Sequence, residues 1–439
     1  MQDFLNIVAD QIRWKKARTG LMEELSIHMQ EQAEAFLAEG MTADEAEREA
    51  VRQMGDPVTI GAELDHIHRP RPQWALMGFA VILLAICGIL RCVLIDPITA
   101  VPDPWLRGFF SMVLGTIAML CAYYLDISFV GKWIKFLLPL FFLGVLLLFP
   151  VTPRFNHAYW MVKQVMLLFP VLLATWIWFQ RGRRWRGALC SLTAAGAGLC
   201  VAFAIPCTFT VGLILLSSLV LGVLFAARDW FHLGKKKCIA LTVSMAAVAS
   251  GCFVWQRWDR WQYAFFPERA PNSAGYFAYM LRKALSYADW FGAADNAAWE
   301  MEMGVPWMKL VPELEGDALL VNLICTFGWI AGLMLLSVFA CFFIWAIWKT
   351  IHLRQSLGKA VAAAVLTTLL AQCGGSLLVT FGVPIMSVSF PLLVGNWAAV
   401  LNMFLIGLLL SAFRDDALPQ SYAAPKTSRY RVVIKLEKV

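Results

Sequence analysis

The residues best able to do chemistry are the carboxylates of Val311-Pro312-Glu313-Leu314-Glu315-Gly316-Asp317, which close the polar stretch 256–316 and open a very apolar run. An acidic side chain beside hydrocarbon is costly, so an aspartate at the mouth of a membrane span is by default a functional candidate. A structural reading stands next to it. Asp317 follows a glycine and precedes Ala-Leu-Leu-Val, where a carboxylate can cap a helix by accepting the free N–H groups of its first turn. One residue can do both. Other reactive types are sparse: His157 has no second histidine at ligand spacing, and the eleven cysteines lie mostly in apolar runs without a CxxC pair. The cysteines read as small apolar fillers.

The elements that must position Asp317 follow from composition. A chain of 439 residues that is 60% hydrophobic and 15% charged, with a mean hydropathy of +0.65, is too apolar for a soluble globule and implies a polytopic membrane protein. Residues 1–71 are the exception. There Met22, Leu25, Met29, Ala33 and Phe36 recur at helical spacing, Gly40 can end that helix, Thr42-Ala43-Asp44-Glu45 reads as a capping box, and Gly55-Asp56-Pro57 is a stop signal. This polar start leaves no room for a cleavable signal peptide and predicts a small soluble helical domain. Apolar runs long enough to cross a bilayer begin near residues 74, 106, 134, 161, 187, 209, 238, 317, 360 and 393, ten in all.

The loops between them sort by charge. One alternating set carries Lys132 and Lys135; Arg181, Arg183, Arg184 and Arg186; Arg228 with Lys235, Lys236 and Lys237; and Lys349, Arg354 and Lys359. The opposite short loops are nearly bare, with Arg107 in one and Arg154 and Lys163 in another. The positive-inside rule then places both termini in the cytoplasm of a cell whose plasma membrane holds the chain, and turns 256–316 and Asp317 outward. The net charge of +7 reports this topology, not a nucleic-acid partner. The outer loop is rich in Trp255, Trp258, Trp261, Tyr263, Tyr276, Tyr279 and Tyr287, which fit an interfacial belt or a surface that stacks on sugars or on a partner. Residues 382–396 are apolar but punctuated by Pro384, Pro391 and Gly395, so they predict a broken segment resting against the bundle. The tail from Arg414 is basic and polar; Arg431 to Lys435 could pair as a strand, but the composition favours a flexible tail near anionic lipid headgroups.

Pro312, Glu313 and Asp317 hold the spacing of a motif in which Leu-Pro-Glu, two variable residues, Thr, Asp and Phe lead into an eighth span, although Gly316 and Ala318 replace the Thr and Phe. Upstream, Arg260, Pro267 and Gly275-Tyr276 match an arginine, a proline and the start of a Gly-Tyr-Gln, with Phe277 in place of the glutamine. Pro170 falls ten residues past Trp160, as the proline of a Gln-Pro-Ser-Glu falls after Gly-Ala-Arg-Arg-Trp, but Phe169, Val171 and Leu172 stand at its polar positions and Thr175 at a lysine. Pro384 and Pro391 keep the seven-residue interval of a Pro-Leu-Thr-Gly-Val-Pro-Leu-Pro, while the Ser-Tyr-Gly-Gly-Ser-Ser beyond it is replaced. Asp126 and Gln372 also fall at matching places. On these residues the stretch 72–413 resembles the SEDS family of cell-shape and division proteins, which includes FtsW, RodA and SpoVE. Residues 1–71, centred on EGMTADEAEREAVRQMGDP, resemble the prefix domain found ahead of bacterial permeases and membrane regulators.

The resemblance implies an all-α fold with ten transmembrane helices, the small helical prefix domain, a large extracellular loop at 256–316 and a cytoplasmic tail at 414–439. It implies polymerisation of peptidoglycan glycan strands from lipid II at the outer face, during division, elongation or sporulation. Asp317 is the implied catalytic base. Trp160, Arg107, Arg260, Glu313 and Pro391 are implied to bind substrate. Positive charge for a departing pyrophosphate would come from Arg107, Arg154, Lys163 or Arg260, or from a divalent cation, magnesium or manganese, supported by Glu313 and Glu315. The implied partners are the undecaprenyl-linked substrate, the membrane and a class B penicillin-binding protein. Loss of the polar motifs supports an alternative, a scaffold or regulator without catalysis; a third reading, a flippase for the lipid-linked precursor, requires ionisable residues facing one another at mid-membrane, of which the spans hold few beyond Arg91.

Overall fold

The computed structural model describes residues 1–68, 72–95, 104–125, 127–148, 156–204, 208–393 and 396–417. Asp126, Arg154 and the possible strand at 431–435 lie outside them. Every regular element among the described residues is helical. The chain divides into two compact units, one of Met1–Arg71 with Asp415–Val439, the other of Pro72–Arg414.

The first unit holds α1 (Gln2–Gln11), α2 (Lys15–Ala38), α3 (Ala43–Met54) and α4 (Pro57–His68). Local signals set these boundaries. Gly40 and Gly55 take φ of 96° and 87°, a left-handed region that residues with a Cβ rarely enter, so each ends the helix before it. At the start of α3 the Thr42 backbone N–H and hydroxyl both donate to Glu45, at 3.2 and 2.7 Å. These bonds hold the Glu45 carboxyl below its ordinary value. Phe4, Leu5, Val8, Ile12, Ala17, Leu21 and Met29 form the buried seam, and Pro57 fits the first helical position because its missing N–H would have had no partner there.

The second unit runs through α5 (Trp74–Ile95), α6 (Pro104–Tyr124), α7 (Ile127–Leu148), α8 (Asn156–Val165), α9 (Phe169–Phe179), α10 (Arg184–Ala204), α11 (Thr208–Ala227) and α12 (Lys235–Gln256). The polar stretch follows as α13 (Trp258–Phe265), α14 (Tyr276–Ser286), α15 (Asn296–Met303) and α16 (Trp307–Leu310). Then come α17 (Leu319–Phe327), α18 (Trp329–Ile351), α19 (Ser356–Thr380) and α20 (Asn396–Arg414). Ten segments among the described residues are long and apolar enough to cross a bilayer, and the protein is a multi-pass membrane protein. Residues 161–179 form one such segment from two helices joined by a 3-10 turn at Met166–Leu168, where Pro170 removes a helical donor.

Two spans begin elsewhere than their apolar runs suggest. The third starts at Ile127, not near 134, because Lys132 and Lys135 sit inside the helix; long lysine stems can lie along apolar surface while their ammonium groups reach polar surroundings. The eighth starts at Trp329, not at 317. Gly328, at φ 93°, breaks the apolar run, so Leu319–Phe327 is a separate buried helix.

Bundle contacts use small residues, as expected where helices gain little from the hydrophobic effect. A Cβ on Gly407 of α20 would sit 2.3 Å from the Met119 carbonyl of α6, so these backbones meet only because this position is glycine. Between α19 and α20, Gln372 and Asn402 exchange two amide hydrogen bonds, at 2.9 and 3.1 Å, and both are buried. The stretch 256–316 buries Met280, Leu281, Ala284, Trp299 and Trp307 in one core with Val321 and Cys325 of α17 and Val379 of α19. Its aromatics therefore divide: Tyr276, Tyr279 and Tyr287 pack on this core, whereas Trp255 and Trp258 are exposed.

Candidate functional site

The stretch 311–318 folds as a tight turn centred on Glu313. The Glu313 carbonyl accepts from the N–H groups of both Gly316 and Ala318, at 3.0 Å each, and Glu313 itself sits at φ 58°. A glutamate in the left-handed region is strained, and such strain clusters at functional sites. Val311 and Leu314 anchor the turn by burial in the loop core, which leaves Glu313, Gly316 and Asp317 facing a cavity.

Asp317 does not cap α17; the residue at the N-cap is Ala318, and no side chain caps the helix. Its carboxylate instead crosses to the irregular segment after α19. Ser387 Oγ donates to Oδ2 at 2.5 Å, and Ser389 Oγ donates to Oδ1 at 2.9 Å. Lys163 Nζ, from α8, lies 4.0 Å from Oδ1 and donates to Ser387 Oγ at 3.2 Å. Asp317 is only 9% exposed, so these partners fix one orientation of the carboxylate. Alternation explains the pair of serines: in extended backbone, residues two apart face the same side, and Val388 between them is buried.

The surrounding cavity, about 560 Å³, suits a medium-sized polar ligand. Its charged lining is mixed, with Lys163 and Arg260 against Asp259, Glu313 and Asp317. The Glu313 carboxyl is pushed above its ordinary value, mainly by partial desolvation in the wall and next by repulsion from Asp317, while Lys163 opposes the shift. Arg282 of α14 fastens two walls together. Its Nε donates to the Gly382 carbonyl at 3.0 Å, and its Nη2 donates to the Ala264 carbonyl at 2.9 Å and the Phe265 carbonyl at 3.3 Å. The end of α13, which carries Asp259, Arg260 and Tyr263, is thereby tied to the segment that carries Ser387 and Ser389.

The residues singled out in the sequence are only partly brought together. Asp317, Glu313, Arg260 and Lys163 share the cavity. Arg107 is exposed on α6 and does not line it. Pro391 is buried beside the segment's end, outside the lining. Trp160 lies in α8 with its side chain outside the described set. Phe169, Val171 and Thr175 are core residues. Ser387, Ser389 and Arg282 belong to no motif in the sequence; Arg282 is one of several charges in the polar stretch, and the only signal for the serines is their two-residue spacing. A divalent cation would meet carboxylates at Glu313 and Asp317. Among the described residues, however, no three acidic, histidine or cysteine side chains converge as ligands, and both Asp317 oxygens are already engaged.

Compared by sequence alone, the chain matches no family model and no curated protein. Compared by structure, it superposes on a chain from a study of "structural coordination of polymerization and crosslinking by a peptidoglycan synthase complex", with a TM-score of 0.57, 16% identity, and coverage of 79% of this chain and 98% of that one. The protein shares the fold of that chain. Thermus thermophilus RodA, a rod shape determining protein, aligns over 78% of the chain at 15% identity and a TM-score of 0.48. At these identities it is the fold that is shared. Of the motif positions, Glu313 and Asp317 fall in the wall of the polar cavity.

Proposed function

We propose that the protein is a SEDS-type glycosyltransferase that polymerises peptidoglycan glycan strands from lipid II. The observation that carries this reading is the Asp317 carboxylate, held by two serine hydroxyls and faced by a lysine in the wall of a polar cavity. The charge of the loops supports an orientation with that cavity on the outer face and both termini in the cytoplasm. In the reaction a sugar hydroxyl of one lipid-linked disaccharide attacks the anomeric carbon of another. Its proton passes to Asp317, a C–O bond forms at the anomeric carbon, and the bond to undecaprenyl pyrophosphate breaks with its electron pair leaving on the phosphate oxygen. Lys163 and Arg260 supply positive charge where that oxygen becomes negative. A class B penicillin-binding protein, which cross-links such strands, is the proposed partner.

A second reading, a non-catalytic scaffold, has one observation behind it: Phe169, Val171 and Thr175 fill the core where the SEDS motif has polar groups. Purified protein supplied with lipid II separates the two. Glycan polymer that Asp317→Ala abolishes supports the enzyme, whereas folded wild-type protein that yields none under varied cation conditions supports the scaffold.

A further inference from the structure

Two aromatic side chains line the Asp317 cavity, Tyr263 of α13 and Phe277 of α14, and among the described residues neither has a ring or a cation against it. Nearby rings in the same stretch are engaged. Trp261 stacks on Phe265 and meets Phe253 edge-on, Tyr287 meets Trp299 edge-on, Arg269 lies over Phe266, and Lys283 lies over Tyr279. Tyr263 and Phe277 are both half-buried, and Phe277 rests partly on the loop core while the rest of it meets the cavity. The sequence gives Phe277 no structural motif to serve, since it stands where the resembled Gly-Tyr-Gln has its glutamine.

Helical spacing explains what surrounds the two rings. Asp259, Arg260, Tyr263 and Ala264 are three to five residues apart on α13, so they share the face that lines the cavity. Asp259 makes no ion pair among the described residues, which leaves its carboxylate oxygens available as acceptors. Phe277 enters from the first turn of α14, with the small side chains of Ala274 and Ala278 beside it in the lining. The spacing of the two helices is fixed in two ways. Arg282 of α14 donates to the Ala264 and Phe265 carbonyls at the end of α13, and Gly275 lets the connecting turn close, because a Cβ there would collide with the Pro267 carbonyl. A platform held in place before the ligand arrives loses less freedom on binding.

A saccharide ring has both halves of the chemistry this wall offers. Its C–H groups sit against the negative face of an aromatic ring, and its hydroxyls need acceptors at the rim. A hydrocarbon chain in the same place would strand the charges of Asp259 and Arg260 against apolar surface. We infer that Tyr263 and Phe277 are the stacking platform for a saccharide ring of the substrate, with the Asp259 carboxylate accepting from the ring hydroxyls. The inference takes its substrate class from the lipid II reading and adds the residues that seat the sugar. It leaves Lys163 and Arg260 to the phosphate end of the substrate.

The test is binding of the disaccharide of lipid II, freed of its lipid and pyrophosphate, to the full-length protein in detergent, followed by titration and by saturation-transfer NMR. Irradiating the aromatic protons of wild-type protein should transfer saturation to the C–H protons of a sugar ring. Tyr263→Leu and Phe277→Leu should each weaken binding about five- to tenfold, the loss expected when an apolar ring face returns to water. Asp259→Ala should weaken it as well. Tyr263→Phe and Phe277→Tyr keep a ring and should bind within about twofold of wild type, which separates loss of the platform from damage to the fold. No binding by wild-type protein, transfer from aliphatic protons alone, or leucine variants that bind as wild type does would each overturn the proposal. The readout needs no turnover, so this inference and the polymerase reading fail separately. Wild-type protein that binds the disaccharide through these rings but makes no glycan removes the polymerase and keeps the platform; polymer made with an unchanged KM by both leucine variants does the reverse.

Discussion

Replacing Arg282 should disable the cavity without touching any group that faces it. Arg282 gives its two shortest hydrogen bonds to the Gly382 and Ala264 carbonyls, at 3.0 and 2.9 Å, and adds two longer ones to the Phe265 carbonyl at 3.3 Å. Hydrogen bonds from a charged donor contribute about 1.5–3 kcal/mol each. Lysine keeps the charge but cannot reproduce the planar fork, so Arg282→Lys forfeits at least one short bond and part of another. A loss of about 2–3 kcal/mol in holding the walls together corresponds to roughly 30- to 150-fold in the population of the closed geometry. The same joint can be strained from its other side. Gly382 sits at φ 71°, and a Cβ there would lie 2.3 Å from Arg282 Cγ, so Gly382→Ala should displace the guanidinium stem. Hydrogen exchange followed by mass spectrometry checks both variants: amides of 259–266 and 383–390 should lose protection together, while α5 and α6 keep theirs. Glycan synthesis should fall ten- to hundredfold in parallel. Unchanged exchange in both segments, or activity within threefold of wild type, would refute the reasoning.

Three further outcomes are expected. Ser387→Ala/Ser389→Ala removes both donors to Asp317 and should lower activity more than either single change, with the polymerisation rate as readout; full activity in the double variant would mean the carboxylate needs no orientation. Glu313 holds its proton more tightly in the folded state than its ordinary value of 4.5, so its contribution to stability is fully present below that value and is lost as pH rises through the raised one. Melting temperatures measured from acid to neutral pH should show this decline in the wild type and a weaker one in Glu313→Gln. Gln372→Leu should cost about 1–2 kcal/mol by leaving the Asn402 amide unpaired, and the double change to leucine should cost less than the two single changes added; additive melting shifts would show that the pair is not coupled.

Much of the architecture was legible because it rests on local rules. Length and polarity are enough to count spans, and Gly40, Gly55 and the Thr42–Glu45 box mark ends by backbone conformation alone. The start of the eighth span was not legible, since a lone glycine in an apolar run is ordinary in membrane helices and nothing local shows that Gly328 adopts φ 93°. The site was legible at one corner. Asp317, Glu313, Arg260 and Lys163 carry charge where charge is expensive, and they converge. Ser387 and Ser389 could not be picked out, because a hydroxyl in an apolar segment signals nothing until the chain folds 70 residues of sequence back onto Asp317. Arg282 was one charge among many in a polar loop, and its role lies in three backbone carbonyls that no side-chain motif encodes. Asp317 looked equally fit to cap a helix, and only the position of the serines decides against it.

The most direct test of the central claim is polymerisation of lipid II by purified protein, comparing wild type with Asp317→Asn. Asparagine keeps the size of the side chain and can still accept from one serine, but it cannot take a proton from an attacking hydroxyl. If Asp317 is the base, polymer from the asparagine variant should fall by about a hundredfold or more while its melting temperature stays near that of the wild type. Polymer formed at the wild-type rate by a well-folded Asp317→Asn protein would contradict the account.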